Sequence, residues 1–142
     1  MAPPRADLVA AVIENWHYAQ ERGITTPFRI RHFMTQICVK TGGLRAIEEN
    51  LNYSVQRLMQ VWLTRFKTLV AAKPDVNNAK ALAFKVYGGR NGSRAGTDDG
   101  WIYRGPGFMQ NTGRTNFRLP GCENDPDALR TPGPGFRAAV DY

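Results

Sequence analysis

The sequence predicts a mainly helical fold, and three features carry that expectation. Apolar residues recur at helical spacing through the first 90 residues. Thr-Pro, Ser and Gly-Gly stand where such stripes begin and end. Residues 88–100 form a glycine-rich, polar loop that follows the last of these stripes.

The first helix is expected from about Asp7 to Arg22, on Leu8, Val9, Val12, Ile13, Trp16 and Ala19, with Gly23 as its stop. Thr26 and Pro27 supply an N-cap and a first helical residue for a second helix. Its stripe is Ile30, Phe33, Met34, Ile37 and Cys38, and Gly42-Gly43 ends it, which puts Lys40 in its last turn. Ser54 caps a third helix carrying Val55, Leu58, Met59, Trp62 and Phe66. A fourth runs from about Asn78 to Val86. Beyond the loop, Trp101-Ile102-Tyr103 reads as a short extended piece and Gly113 to Arg118 as a helical turn. The tail from Asp125 to Gly135 is turn-rich. A last helical pattern begins at Phe136, too short to hold itself, so it is expected to be frayed or docked.

With 142 residues, 42% of them hydrophobic and 22% charged, the chain suits one domain, 1–142, around one modest core. No apolar run approaches the roughly 20 residues of a membrane span. The start, Met1 to Asp7, has no apolar signal-peptide core, so the chain is expected to be cytoplasmic as synthesised. The formal charge of +7 favours a polyanionic partner, either nucleic acid or an anionic cell wall. The cations are scattered from Arg5 to Arg137, without a nucleic-acid motif or basic stripe, which argues against nucleic acid. Cys38, in an apolar stripe, reads as a buried free thiol. A disulfide with Cys122 stays open on sequence alone. His17 and His32 share no ligand spacing, so no metal site is expected, and no cofactor is implied. The glycine-rich loop lacks the Gly-Lys-Ser/Thr ending of a nucleotide-binding loop.

Three segments carry the chemistry. The first is Gln36-Ile-Cys-Val-Lys40-Thr-Gly-Gly43, followed by Glu48-Glu49-Asn50-Leu51-Asn52-Tyr53-Ser54. The second is Val86-Tyr87-Gly88-Gly89-Arg90. The third runs from Gly100-Trp101-Ile102-Tyr103-Arg104 through Gln110-Asn111-Thr112-Gly113-Arg114 to Phe117. In this order and spacing, over about 23–118, they resemble glycoside hydrolase family 19, the chitinases and endolysins of lysozyme-like fold.

The resemblance implies a substrate of β-1,4-linked N-acetylglucosamine polymers, peptidoglycan or chitin, and action at the bacterial wall if the chain is a lysin. Such inverting enzymes use a protonated acid and a carboxylate base roughly 6.5–9.5 Å apart, with water between base and sugar. By position the general base falls on Glu49. The general acid falls on position 40, where a lysine stands. A cation is stabilised at a helix C-terminus by about 0.3–1 kcal/mol. An ammonium holds its proton too tightly to be a good acid at neutral pH. Impaired hydrolysis is therefore expected, with Lys40 free to pair with Glu49.

Gln110, Thr112 and Asn116 match substrate- or water-holding positions, and Asn52, Tyr53, Tyr87, Trp101 and Tyr103 are expected to line the cleft. Core packing is the competing reading for Trp101 and Tyr103. Arg90 and Arg104 read as loop-fixing residues, and Pro106 replaces a usual Arg or Lys. The family's domain continues past Tyr142, so its C-terminal part is expected to be missing here. The apolar face left open would take a protein partner or self-associate. The competing function is non-catalytic: the old cleft or that face binds a glycan or a protein.

Overall fold

A computed structural model describes residues 2–142, so Met1 lies outside the described residues. The fold is mainly helical, as expected. The one β-type pairing among the described residues is a lone antiparallel bridge between Glu48 and Pro106.

The expected first helix is two, α1 (Ala6–Glu14) and α2 (Trp16–Glu21), broken at Asn15. That asparagine is buried. Its Nδ2 donates to the Ala11 carbonyl at 2.8 Å, and its Oδ1 accepts from Arg137 Nε at 2.8 Å. A side chain that bonds backbone four residues back bends a helix. The arginine that holds it there comes from the far end of the chain.

Helix α3 (Pro27–Lys40) has the expected ends. Thr26 Oγ1 accepts from the Arg29 amide. At the other end the Gly43 amide reaches Cys38 O at 2.7 Å and the Gly42 amide reaches Val39 O at 3.3 Å. Gly42 has φ +61°, the left-handed turn that closes a helix this way and suits glycine. Cys38 is half-buried rather than buried, and both cysteines are free thiols.

Helix α4 (Val55–Val61), capped by Ser54, stops before Trp62, yet Phe66 beyond it is fully buried. A short α5 (Leu69–Ala72), capped by Thr68, and a 3-10 turn, Lys73–Asp75, lead to α6 (Ala79–Tyr87), whose N-cap is Asn78.

Two further expectations fail. Trp101-Ile102-Tyr103 is not extended: α7 (Asp99–Ile102) is a helical turn, in which the Ile102 and Tyr103 amides bond the carbonyls of Asp98 and Asp99 at 2.9 Å. Three apolar residues show no period, so sequence alone could not separate turn from strand. Gly100 lets α7 lie against α6, because a Cβ there would stand 2.6 Å from Ala83 O. After α8 (Arg114–Arg118) and a 3-10 turn, Pro126–Arg130, the last helix α9 (Pro132–Asp141) starts four residues before Phe136. Prolines are tolerated in a first turn, where amides lack helical partners anyway.

The core has three clusters. In the first, α1, α2, α3, Leu44, Ile47 and Phe108 surround Phe136 of α9. Phe136 makes edge contacts with Phe33 and Phe108, at 5.8 and 5.6 Å between ring centres. The end of the chain is therefore docked, not frayed. The second cluster joins Leu51, Leu58, Phe66, Leu82 and Val86. The third holds Tyr103, Phe117, Leu129 and Ala138. Ile47 belongs to the first and Leu51 to the second, so residues 48–50 cross between them.

Candidate active site

That crossing segment is pinned along the third motif. The Gly107 amide donates to Ile47 O at 2.7 Å, and the Glu49 amide donates to Gly105 O at 3.0 Å. Pro106, with no amide to give, sits between them opposite Glu48.

The Glu49 carboxylate is half-buried. Both its oxygens lie 2.7 Å from the hydroxyl of Tyr87, the last residue of α6, which donates to them. Burial pushes the Glu49 carboxyl above its ordinary value, while the Tyr87 hydrogen bond and the charges of Lys40 and Arg104 pull it back. Burial and the neighbouring carboxylate push the Tyr87 phenol far up, so it keeps its proton and remains a donor. Burial, and then Glu49, also raise the Tyr53 phenol.

Glu49 opens into a hollow of about 270 Å³ whose wall includes Glu48, Asn52, Trp101 and Arg104. The Arg104 guanidinium lies 3.5 Å from the centre of the Trp101 ring and donates to the Trp101 carbonyl at 2.7 Å. It also pairs with Glu48, which accepts from Arg130 Nε at 2.9 Å. Arg104 thus fixes its loop, as expected, and walls the hollow as well. Arg90 donates to Val86 O.

Lys40 is exposed at the end of α3 and does not line this hollow. The expected ion pair with Glu49 is not formed. The ammonium acts on that carboxyl only at longer range. Gln110 Nε2 donates to the Lys40 carbonyl at 2.6 Å, which ties the third motif to the end of α3. Gln110 holds φ +52°, a strained conformation for a residue with a side chain. Thr112, in the adjoining loop, and Asn116, in α8, are half-buried. Thr112 Oγ1 donates to Gln110 O, and Asn116 Nδ2 donates to Thr112 O at 2.8 Å.

Glu49, Asn52, Tyr87 and Trp101 are therefore brought together. Tyr53 stands next to them in sequence, edge-on to Trp62 at 5.1 Å. Lys40 and Gln110 form a second, linked pair. Tyr103 is the exception. It is 5% exposed, edge-on to Phe117 at 4.9 Å, with its hydroxyl given to Glu123 O, so it packs in the core and does not line this hollow. Sequence reasoning missed Glu48 and Arg130 as partners in the wall. The adjacent pair Glu48-Glu49 was the one local signal, since Arg130 comes from 82 residues away.

The arrangement supplies a proton acceptor, oriented by a phenol and less solvated than a surface carboxylate, beside an aromatic face and an amide. The other carboxylate at the hollow is engaged by two guanidinium groups.

No protein-family model matches the chain. The chain is similar to a glycosyl hydrolase family 19 domain-containing protein of Haemophilus influenzae, with 32% identity over 100 residues. The match takes in 69% of this chain and spans half the length of that relative. Together with the mainly helical fold, that similarity supports a family-19-like chain of lysozyme-like architecture.

Proposed function

We propose that residues 1–142 form one domain of the family 19 type, directed at polymers of β-1,4-linked N-acetylglucosamine, peptidoglycan or chitin, with hydrolysis impaired at the proton-donating step. Glu49 is its water-activating base, and position 40 is where the acid would stand. The observation that carries the reading is the Glu49 carboxylate, half-buried, bonded through both oxygens by Tyr87, and facing a hollow shared with Asn52 and Trp101. Aromatic faces suit pyranose rings, and amides suit N-acetyl groups. The charge of +7 suits an anionic wall.

Removal of a general acid costs typically 10²–10⁴-fold, so the Lys40→Glu variant should hydrolyse peptidoglycan or chitin oligomers about 100-fold faster than the wild-type chain. Glu49→Gln in that background should abolish the gain. The absence of any gain rejects Lys40 as the only defect. Saccharide binding by both forms, seen as NMR shifts at Asn52 and Trp101 without cleavage, would instead favour a non-catalytic glycan-binding protein. Lys40 in the acid's place is the observation that favours this second reading.

A further inference from the structure

Between Asn52 and Pro74 the chain contains no aspartate or glutamate, yet it carries Arg57, Arg65, Lys67 and Lys73. The nearest ion pair along the chain, Lys85 with Asp75, lies beyond that stretch. Among the described residues the Arg57 guanidinium donates to Gln60 Oε1, at 3.5 Å, and that of Arg65 to the Lys85 carbonyl. The same stretch exposes aliphatic side chains: Val61 is 42% exposed, Leu63 69%, Leu69 61% and Val70 82%. Val55, Leu69 and Val70 share one shallow hollow with Lys73. These residues are not poorly packed remnants. Leu58, Phe66 and Ala72 of the same stretch are fully buried and anchor it to the second core cluster. The α4–α5 stretch therefore spends one set of apolar side chains on the core and leaves another in solvent, with Leu69 and Val70 beside Lys73 and no acidic residue in the stretch.

We infer that the α4–α5 face docks on an anionic lipid bilayer. Its aliphatic side chains enter the headgroup–acyl boundary, and Arg57, Arg65, Lys67 and Lys73 meet the lipid phosphates. The aliphatic component decides the partner. A wall polymer or nucleic acid would be satisfied by charge alone and would leave Leu69 and Val70 in water. An anionic bilayer takes both components at once. The reading is one of peripheral attachment; among the described residues no helix is long and apolar enough to cross a membrane. It does not depend on sugar cleavage and stands or falls separately from the role of Glu49.

The test is hydrogen exchange and co-sedimentation of the whole chain with phosphatidylglycerol-containing vesicles, against pure phosphatidylcholine vesicles. Protection should appear across 55–73 with the anionic vesicles only. Lys67→Glu should weaken binding by about fivefold or more, the worth of one cation near such a surface. Arg31→Glu, the same charge change on exposed α3, should leave it within about twofold. The double variant L69S/V70S, at two exposed positions, should keep its melting temperature and lose roughly tenfold or more in binding. Binding that survives L69S/V70S, or that Arg31→Glu weakens as much as Lys67→Glu, overturns the proposal. So does protection of 55–73 by poly-glutamate with none by vesicles, which would assign the face to an acidic protein.

Discussion

Tyr87 is the hydrogen-bond partner of Glu49 at the candidate site, and the contact opposes the effect of burial on the carboxyl. The phenol offers its proton to both oxygens at 2.7 Å. Tyr87→Phe removes that stabilisation of the charged form and leaves burial unopposed at close range. The Glu49 carboxyl should then titrate higher than in the wild type, as read by carbon-13 NMR of the side-chain carboxyl. An unchanged or lower value would deny the contact. Because the folded carboxyl already sits above its ordinary value, the folded chain binds that proton more tightly than the unfolded one. The stability it contributes is full below the ordinary carboxylate range and is lost as pH rises through the folded value. Glu49→Gln cannot ionise, so it should melt higher than wild type at pH 7, with the gap closing in acid. A variant less stable at pH 7 would contradict this. At this scale the sequence marked Glu49 and Lys40 through their motif and placed Tyr87 in the cleft, but did not pair Tyr87 with Glu49. Tyr87 lies 38 residues away, and only the packing of α6 brings it there.

Among elements, legibility followed the range of the forces. The ends of α3 were readable because Thr26, Pro27 and Gly42-Gly43 act on their immediate neighbours. The break between α1 and α2 was not, because Arg137 holds Asn15 from 122 residues away. The glycine-rich loop was readable as a loop, but not what organises it. Asp99, 2% exposed, accepts from the Arg94 amide at 2.9 Å, from Arg94 Nε at 3.1 Å and from Arg114 Nη1 at 3.2 Å. Its hydrogen bonds with the Arg94 side chain, above all, pull the carboxyl down to about 2. The folded chain thus binds this proton less tightly than the unfolded one. The stability involved is present above the ordinary carboxylate value and is lost as pH falls through about 2. Asp99→Asn should cost about 1.5–3 kcal/mol at pH 7, the range for hydrogen bonds to a charged group. That corresponds to roughly 5–10 °C in Tm for a chain of this size. The deficit should shrink as the melts are repeated toward pH 2. A deficit independent of pH would mean that the carboxylate's charge contributes little.

At the scale of the whole molecule, the helical class was legible because it rests on periodicity summed over many residues, whereas the closure of the core was not. The pattern starting at Phe136 looks too short to stand alone, and its place is set by aromatic partners distant in sequence. Phe136 is fully buried and touches Trp16, Phe33 and Phe108, which lie on or beside α2, α3 and the third motif. Through Phe136, α9 contacts all three. Phe136→Ala should therefore cost about 3–5 kcal/mol, the usual penalty for emptying a buried aromatic site. The melting temperature should drop by roughly 10–15 °C. Phe84→Ala, at a position 43% exposed, should cost under about 1 kcal/mol and serves as the control. Hydrogen exchange separates a local from a shared role. If Phe136 joins the elements, amides in α2 and α3 lose protection along with those of α9. Loss confined to α9, with Tm near the wild-type value, would show that the first cluster holds without it and that α9 is an appendage.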